Sequence, residues 1–225
     1  MANPVRLTEY GPVYNFGKAL LTESVGLRKR DRTRATIQNA GCILLDRIPL
    51  TQLTVSEICK EAQIAHGTFY IYFPDRQAFV ADLLIRFVEF VQLVMHQSSK
   101  SLGKDPVRST TAAYYVLFEN NPGLMKCLLN NLEDFPASRE AFQILNREWV
   151  MTVVRSTERR LTRTGRLEEI SHDELLRRTY ALGGMVDQYL SALFLNADTT
   201  LASVSTDREV VIDTLTNIWK RGMVV

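Results

Sequence analysis

The sequence of 225 residues has no apolar run of the roughly 18 to 20 residues that a membrane-spanning helix needs. Even its most apolar stretch, residues 79–95, is interrupted by Asp82, Arg86 and Glu89. The first residues also lack the cationic start, clean apolar stretch and small-residue cleavage site of a secretory signal peptide. These absences predict a protein that neither spans a membrane nor is exported, and that works in the cytoplasm.

Cysteine and histidine are scarce. The three cysteines, Cys42, Cys59 and Cys127, are far apart and form no C-x-x-C pair, so we expect buried thiols rather than a zinc knuckle or a redox dithiol. None of the three histidines has a second His or Cys at i+3 or i+4, so neither a metal nor another cofactor is predicted. No local pattern supports a catalytic group of Cys127, His96 and Asp134, and an enzyme is not expected.

Charge is spread unevenly along the chain. The 27 Lys and Arg residues against 25 Asp and Glu leave a net charge of only +2. Residues 28–79 hold eight basic and five acidic residues. Residues 1–27 hold two of each, and residues 80–225 hold 17 basic and 18 acidic residues. Because the net positive charge lies in one short segment, a polyanionic partner is predicted for that segment.

The pattern of apolar residues is helical throughout. No proline follows Pro136, apolar residues recur at helical spacing, and no window of useful length alternates with period two. We therefore predict an all-α fold, in which an N-terminal three-helix module with a helix-turn-helix is joined by a long helix to a C-terminal helical bundle. The predicted regions are an arm or extra helix at 1–27, the helix-turn-helix domain at 28–79 and a second domain at 80–225.

The module contains two short helices joined by the connection Ala62-Gln63-Ile64. A pair of helices with so tight a turn is typical of a helix-turn-helix, whose second helix enters a major groove about 12 Å wide. In that second helix His66 can donate to a base, and Thr68 offers a hydroxyl and a methyl group. The candidate DNA-binding residues are Lys29, Arg30, Arg34, Thr54, Ser56, His66, Gly67, Thr68, Tyr70, Tyr72 and Arg76.

Two features of this segment leave alternatives open. The basic run at 28–34 is either the solvated start of a helix or an arm along phosphates or in the minor groove. Ile71, an apolar residue in the second helix, either touches a thymine methyl group or packs on a neighbour.

The segments IQNAGCILL and TVSEICKEAQIAHGTFYIYFPDRQAF resemble the DNA-binding domain of the TetR family of bacterial transcriptional regulators. The resemblance covers residues 33–79, where the GTFY-x-YF-x-x-R core fixes several residue types. It implies a homodimer that binds a double-stranded, pseudo-palindromic operator and whose variable C-terminal domain binds a small-molecule effector. It also implies contacts from His66, Gly67, Thr68, Tyr70 and Tyr72 in the recognition helix, from Thr54 and Ser56 in the helix before it, and from Arg76 to phosphate. Ala65 departs from the family, which usually has a capping Ser there.

Aromatic and methionine side chains in the C-terminal region are candidates for an effector pocket, although each of them also suits an ordinary core. With no charged cluster to mark a polar ligand, we expect a small apolar or aromatic effector. The candidates are Phe87, Phe90, Met95, Tyr114, Phe118, Met125, Trp149 and Met185.

The last two long helices carry the predicted dimer interface. A Gly183-Gly184 pair costs roughly 1 kcal/mol per glycine in a helix, which close approach of another backbone would offset. Packing of the same faces within one chain is the alternative. The interface candidates are Gly183, Val186, Leu190, Leu193, Val211, Leu215, Ile218 and Trp219.

The function predicted from the sequence is a sequence-specific DNA-binding regulator, a repressor that an effector releases from its operator. The alternative is a DNA-binding architectural or partner-recruiting factor of the same fold with no effector.

Overall fold

Eleven α-helices, two short 3₁₀ helices at Leu50–Gln52 and Leu167–Glu169, and no β-strand make up the regular structure of the described residues. In this computed structural model these are residues 13–100, 105–130 and 136–223, without the side chains of 137 and 138. The predicted all-α fold is confirmed. The helices are α1 (Phe16–Ser24), α2 (Lys29–Leu45), α3 (Val55–Glu61), α4 (His66–Tyr72), α5 (Arg76–Ser99), α6 (Pro106–Asn120), α7 (Pro122–Asn130), α8 (Pro136–Thr164), α9 (His172–Phe194), α10 (Thr199–Val204) and α11 (Arg208–Gly222). None of these helices is long and apolar enough to cross a membrane.

Within the described residues the chain divides into two compact units. Unit 1 contains residues 13–94 and 116–142, and unit 2 contains residues 95–115 and 143–223. Helices α5, α6 and α8 therefore contribute to both units, and the boundary predicted at residue 80 lies inside α5. Of the predicted N-terminal extension, residues 16–24 form helix α1, whereas residues 1–12 lie outside the described part.

An aromatic cluster forms the centre of the helix-turn-helix end of unit 1. The ring of Phe69 on α4 lies 5.6 Å from that of Phe73 and 5.8 Å from that of Phe79 on α5, and all three side chains are buried. The guanidinium of Arg34 on α2 lies 5.1 Å from the centre of the Phe73 ring. Because each aromatic pair contributes about 0.5–1.5 kcal/mol beyond its buried area, this cluster fixes α4 against α5 and α2.

Helix α1 docks onto the same unit through aromatic and amide contacts. The Phe16 ring packs 5.5 Å from Phe87 and 5.3 Å from Phe90, both on α5. The amide of Asn121, which is only 3% exposed, accepts from the Phe16 backbone N–H at 2.8 Å and donates to the Tyr14 carbonyl at 2.7 Å. Helix α1 is therefore part of the core of unit 1.

Unit 2 is held together by aromatic pairs and by ion pairs between its helices. Trp149 on α8 meets Trp219 on α11 with ring centres 5.1 Å apart, and Tyr115 on α6 meets Phe194 on α9 at 5.0 Å. Arg108 on α6 donates to carboxylates at both Glu209 and Asp213 of α11, at 2.6 and 2.7 Å. These contacts join α6, α8, α9 and α11 into one bundle.

The three cysteines are free and buried, as the sequence predicts. Burial raises the pKa of the Cys42 and Cys127 thiols well above the ordinary value. A buried thiol with a raised pKa is a poor nucleophile, so Cys127 is not suited to catalysis. Asp134, the third member of the arrangement considered for Cys127, lies outside the described residues.

Candidate DNA-reading site

The turn between α3 and α4 is closed by a left-handed residue. Gln63 has φ 55°, its N–H bonds to the carbonyl of Lys60, and the N–H of Ile64 bonds to the carbonyl of Cys59. This pair of bonds is the Schellman pattern, which ends a helix and turns the chain sharply. Helix α4 then begins at His66, with Ala65 at its N-cap and no side-chain capping bond.

Helix α4 buries one side and exposes the other. Phe69 is fully buried in the aromatic cluster, whereas His66 and Gly67 are exposed, and Tyr70 keeps 54% of its surface accessible. Thr68 and Tyr72 are half-buried at the edge of that face. The predicted recognition residues therefore lie along the exposed side and its edges, where a groove could receive them.

Ile71 extends this exposed face, and the sequence left its role open. It keeps 67% of its surface accessible, so it does not pack on a neighbour within unit 1. An apolar side chain that contacts no core is suited to a thymine methyl group. We therefore add Ile71 to the candidate base-contacting residues.

Thr54 forms a capping box, a use that our prediction overlooked although Thr54-x-x-Glu57 is its sequence pattern. Its hydroxyl accepts from the Glu57 N–H at 3.2 Å, while its own hydroxyl and N–H both donate to the Glu57 carboxylate, at 2.9 and 3.1 Å. This capping box stabilises the start of α3 but occupies both donors of Thr54. Ser56, two residues further along, is exposed and is the better placed of the two hydroxyls for a phosphate.

The basic segment divides into two parts. Lys29 and Arg30 are exposed in the first turn of α2, where cations interact unfavourably with the helix dipole, so helix stability does not explain them. Arg34 instead forms an ion pair with Asp82 on α5, which also accepts from Gln38 at 2.6 Å. Arg34 therefore has a structural role, whereas Lys29 and Arg30 are exposed and remain candidates for contacting DNA. Arg76, the remaining cation of the prediction, begins α5 and is half-buried.

The predicted effector-pocket residues are divided equally between the two units. In unit 1 the side chains of Phe87, Phe90, Phe118 and Met125 are at most 1% exposed, and Phe16 packs against the first two. In unit 2 Met95 is buried, and Tyr114, Trp149 and Met185 are half-buried.

A polar pair in unit 2 was missed by the reasoning from sequence. The Tyr114 hydroxyl donates to the Asp187 carboxylate at 2.7 Å. Burial raises the pKa of Asp187 to about 6, against which the Tyr114 hydrogen bond acts only partly. The sequence feature that could have indicated this pair is Asp187 itself, an acidic residue next to Val186 in the apolar stripe of α9.

Asp187→Asn is expected to flatten the pH dependence of stability. A carboxyl whose pKa is raised from 3.8 to about 6 on folding contributes stability that is complete below pH 3.8 and lost as the pH rises towards about 6. Asparagine keeps the Tyr114 bond without the buried charge, so the variant should melt a few degrees higher than wild type at pH 7 but not at pH 4. Thermal unfolding across this range measures the difference, and parallel curves for the two proteins would contradict it.

Most of the predicted dimer residues are already buried within the chain. Val186, Leu190, Val211, Leu215 and Trp219 are at most 8% exposed inside unit 2. An added Cβ at Gly183 would lie 2.9 Å from Cζ3 of Trp149, so this glycine accommodates a ring of its own chain rather than a partner backbone. Leu193 is half-buried, and Ile218 remains exposed.

A short exposed helix, set by a tight turn and backed by a buried aromatic cluster, defines a helix-turn-helix DNA-binding protein. Residues 37–83 match the sequence model of the bacterial regulatory proteins of the tetR family, so the chain carries a DNA-binding domain of the TetR type.

Known proteins resemble the chain over most of its length. It is 21% identical over 197 residues to the HTH-type transcriptional regulator EthR of Mycolicibacterium smegmatis, a match that covers 84% of this chain and 85% of that protein. A transcriptional regulator from Pseudomonas aeruginosa PAO1 superimposes with a TM-score of 0.68 and 14% identity, over 91% of this chain and 95% of that one. The regulator FadR from Bacillus subtilis, solved in complex with stearoyl-CoA, superimposes with a TM-score of 0.61 and 15% identity. That match covers 83% of this chain and 97% of FadR. The two structures share the fold with this chain.

Gly67→Ala separates stability from DNA binding. A Cβ at this exposed position of α4 would meet nothing within 4 Å, and alanine favours a helix over glycine by up to about 1 kcal/mol. The variant should therefore melt at the same temperature as wild type or slightly higher. If the backbone approaches DNA here, affinity for duplex should fall about tenfold, equivalent to about 1.4 kcal/mol of lost contact. Thermal unfolding and fluorescence anisotropy measure the two effects, and unchanged affinity would mean that Gly67 does not approach the DNA.

Proposed function

We propose that this protein is a cytoplasmic repressor that binds a pseudo-palindromic operator as a homodimer and is released by a small-molecule effector that carries an apolar chain. The observation that carries the proposal is the exposed face of α4, where His66, Gly67, Tyr70 and Ile71 are accessible beside the buried Phe69. The donor of His66 and the apolar side chain of Ile71, on one narrow helix, suit contacts that a major groove can distinguish, and the Tyr70 hydroxyl suits a phosphate.

A second copy of the chain is the partner proposed for the exposed sides of α9 and α11. Tyr180 and Gly184 lie one turn apart on α9, and Val210 and Ile218 lie two turns apart on α11, all exposed. Together these residues give two neighbouring helices an accessible face with apolar and small members, which suits a self-complementary two-fold contact. The two recognition helices of such a dimer would read half-sites about 34–36 Å apart.

The effector proposed is a molecule with a long apolar chain. The Bacillus subtilis relative in fold was solved with stearoyl-CoA, and the predicted pocket residues of this chain are aromatic or methionine. Tyr114 and Asp187 in unit 2 are candidates for contacting a polar group on such a ligand. Release by tenfold requires that the ligand prefer the DNA-free form by about 1.4 kcal/mol.

One observation favours the alternative of a DNA-binding protein with no effector. Phe87 and Phe90, two of the predicted pocket residues, are covered by Phe16 of α1. A pocket there would require α1 to move, whereas a protein without an effector needs no such movement.

Selection of bound fragments from genomic DNA, followed by a binding titration, tests the proposed function. We expect enrichment of a two-fold symmetric sequence and binding of one dimer per site. Tyr180→Arg with Ile218→Arg should yield a monomer in sedimentation and lose operator binding, whereas the control Lys18→Glu with Lys126→Glu, which changes two exposed residues away from α9 and α11, should remain dimeric. Stearoyl-CoA, but not CoA alone, should release the operator. Equal binding to every sequence would rule out sequence-specific regulation, and release by neither compound would favour the alternative.

A further inference from the structure

A second basic surface lies on α8, in unit 2. Residues 155–166 contain five arginines and a single acidic residue, Glu158, so this short segment carries more net positive charge than the whole of residues 28–79. The acidic residues elsewhere in residues 80–225 hide this concentration when charge is averaged over the C-terminal region. We name Arg155, Arg159, Arg160 and Arg163 the arginine ridge.

The helix holds the ridge on one side and in solvent. Arg155, Arg159 and Arg163 follow one another at intervals of four residues, so they line a strip about 12 Å long on neighbouring turns. All four arginines of the ridge are exposed, and three of them border a shallow open depression of about 420 Å³ together with Glu158 and Thr162.

The ridge is not neutralised by its own unit. Glu158 is within hydrogen-bond distance of His172 Nδ1, at 2.7 Å, and Arg166, beyond the end of the helix, forms an ion pair with Glu169 at 2.7 Å. Within the described residues no ion pair involves Arg155, Arg159, Arg160 or Arg163. A cation is stabilised by the negative end of the α8 dipole only in the last turn of the helix. The dipole therefore does not explain why positions 155 and 159 carry arginine.

The surroundings of the ridge indicate the chemistry of its partner. From 155 to 166 every exposed residue is an arginine, serine, threonine or glycine, and none is apolar. Protein interfaces have an apolar core enriched in aromatic residues, whereas interfaces with nucleic acid are polar and strongly positive. Residues 136–166 contain no lysine at all, and arginine is the cation that binds phosphate through two parallel hydrogen bonds.

We propose that the arginine ridge is a second nucleic-acid contact, which binds the phosphate backbone of duplex DNA independently of base sequence and separately from α4. A strand of duplex has one phosphate per 3.4 Å of axis, so a strip of about 12 Å faces about three phosphates. Such a contact adds affinity for any duplex and none for a particular sequence.

The test compares three full-length variants by fluorescence anisotropy with a duplex of scrambled sequence, titrated between about 50 and 200 mM salt. The first is Arg155→Gln, Arg159→Gln, Arg163→Gln. The second replaces the same arginines by lysine and keeps the charge. The matched control is Lys18→Gln, Lys126→Gln, Arg221→Gln, which removes three exposed cations elsewhere.

We expect the glutamine variant to bind the scrambled duplex about tenfold more weakly at low salt, with a salt slope smaller in magnitude by about 2–3 per protomer. The lysine variant should keep the slope, and the control should behave as wild type. If the glutamine variant binds with the affinity and slope of the control, the ridge does not contact DNA; an acidic protein as the true partner would give this result. Preference for the operator over the scrambled duplex depends on α4. If the protein shows no such preference, the result counts against the proposed function and not against the proposal that the arginine ridge contacts DNA.

Discussion

Replacing His66 and Thr68 together by alanine is expected to lower operator affinity at least about 100-fold while changing the affinity for a scrambled duplex by less than about threefold. Each base contact of a recognition helix is worth about 1–3 kcal/mol of discrimination. The proposed homodimer would lose both contacts at both half-sites, so the lower bound adds to about 4 kcal/mol, which is more than the roughly 2.7 kcal/mol of a 100-fold loss. Neither side chain belongs to the buried aromatic cluster, and the fold should be retained.

Tyr70→Phe with Ser56→Ala provides the contrast for this prediction. It removes two hydroxyls suited to phosphates, which carry no sequence information, so operator and scrambled duplex should weaken by the same factor. Competition titrations of both variants against the two duplexes give the specificity ratio directly. If the His66 and Thr68 variant kept the wild-type ratio, α4 would not be the element that reads the sequence.

The helix-turn-helix could be predicted from sequence because its determinants are local. The turn after α3, the short helix and the buried Phe69 all follow from residues within about a dozen positions of one another. The uses of Thr54 and Arg34 were missed for different reasons. Thr54 and Glu57 form the local Thr-x-x-Glu pattern of a capping box, which is readable from the sequence, whereas Arg34 finds Asp82 on another helix.

Caps and interfaces depend on partners that are distant in sequence. Asn121 suits the N-cap of α7, but its amide is committed to α1, and the carboxylate of Asp46 instead accepts from the Gly123 N–H at 2.9 Å. Gly183 suggested contact with another backbone, whereas the nearby group is Trp149, 34 positions earlier. Local sequence patterns identify that a residue is unusual at its position, but they do not identify the distant residue that it contacts.

Asn121→Ala is expected to destabilise the protein by about 3–5 kcal/mol. The variant leaves the Phe16 N–H and the Tyr14 carbonyl without their partner in a buried site, and an unsatisfied buried polar group costs about 1–3 kcal/mol. The third bond, to the carbonyl of Leu117 at 2.8 Å, is lost as well. For a chain of this length the loss corresponds to a fall in melting temperature of roughly 10 °C.

Asn120→Ala is the matched control for this variant, since the same side chain is removed one position earlier. The Asn120 amide donates only to Val116 within its own helix, and the bond from Asn15 goes to the Asn120 backbone carbonyl, which alanine keeps. Its cost should stay below about 1 kcal/mol. Hydrogen exchange should further show that Asn121→Ala loses protection first in α1, because the amide is the polar link between α1 and the start of α7. Equal melting temperatures for the two variants would mean that α1 is held by Phe16 and its aromatic neighbours alone.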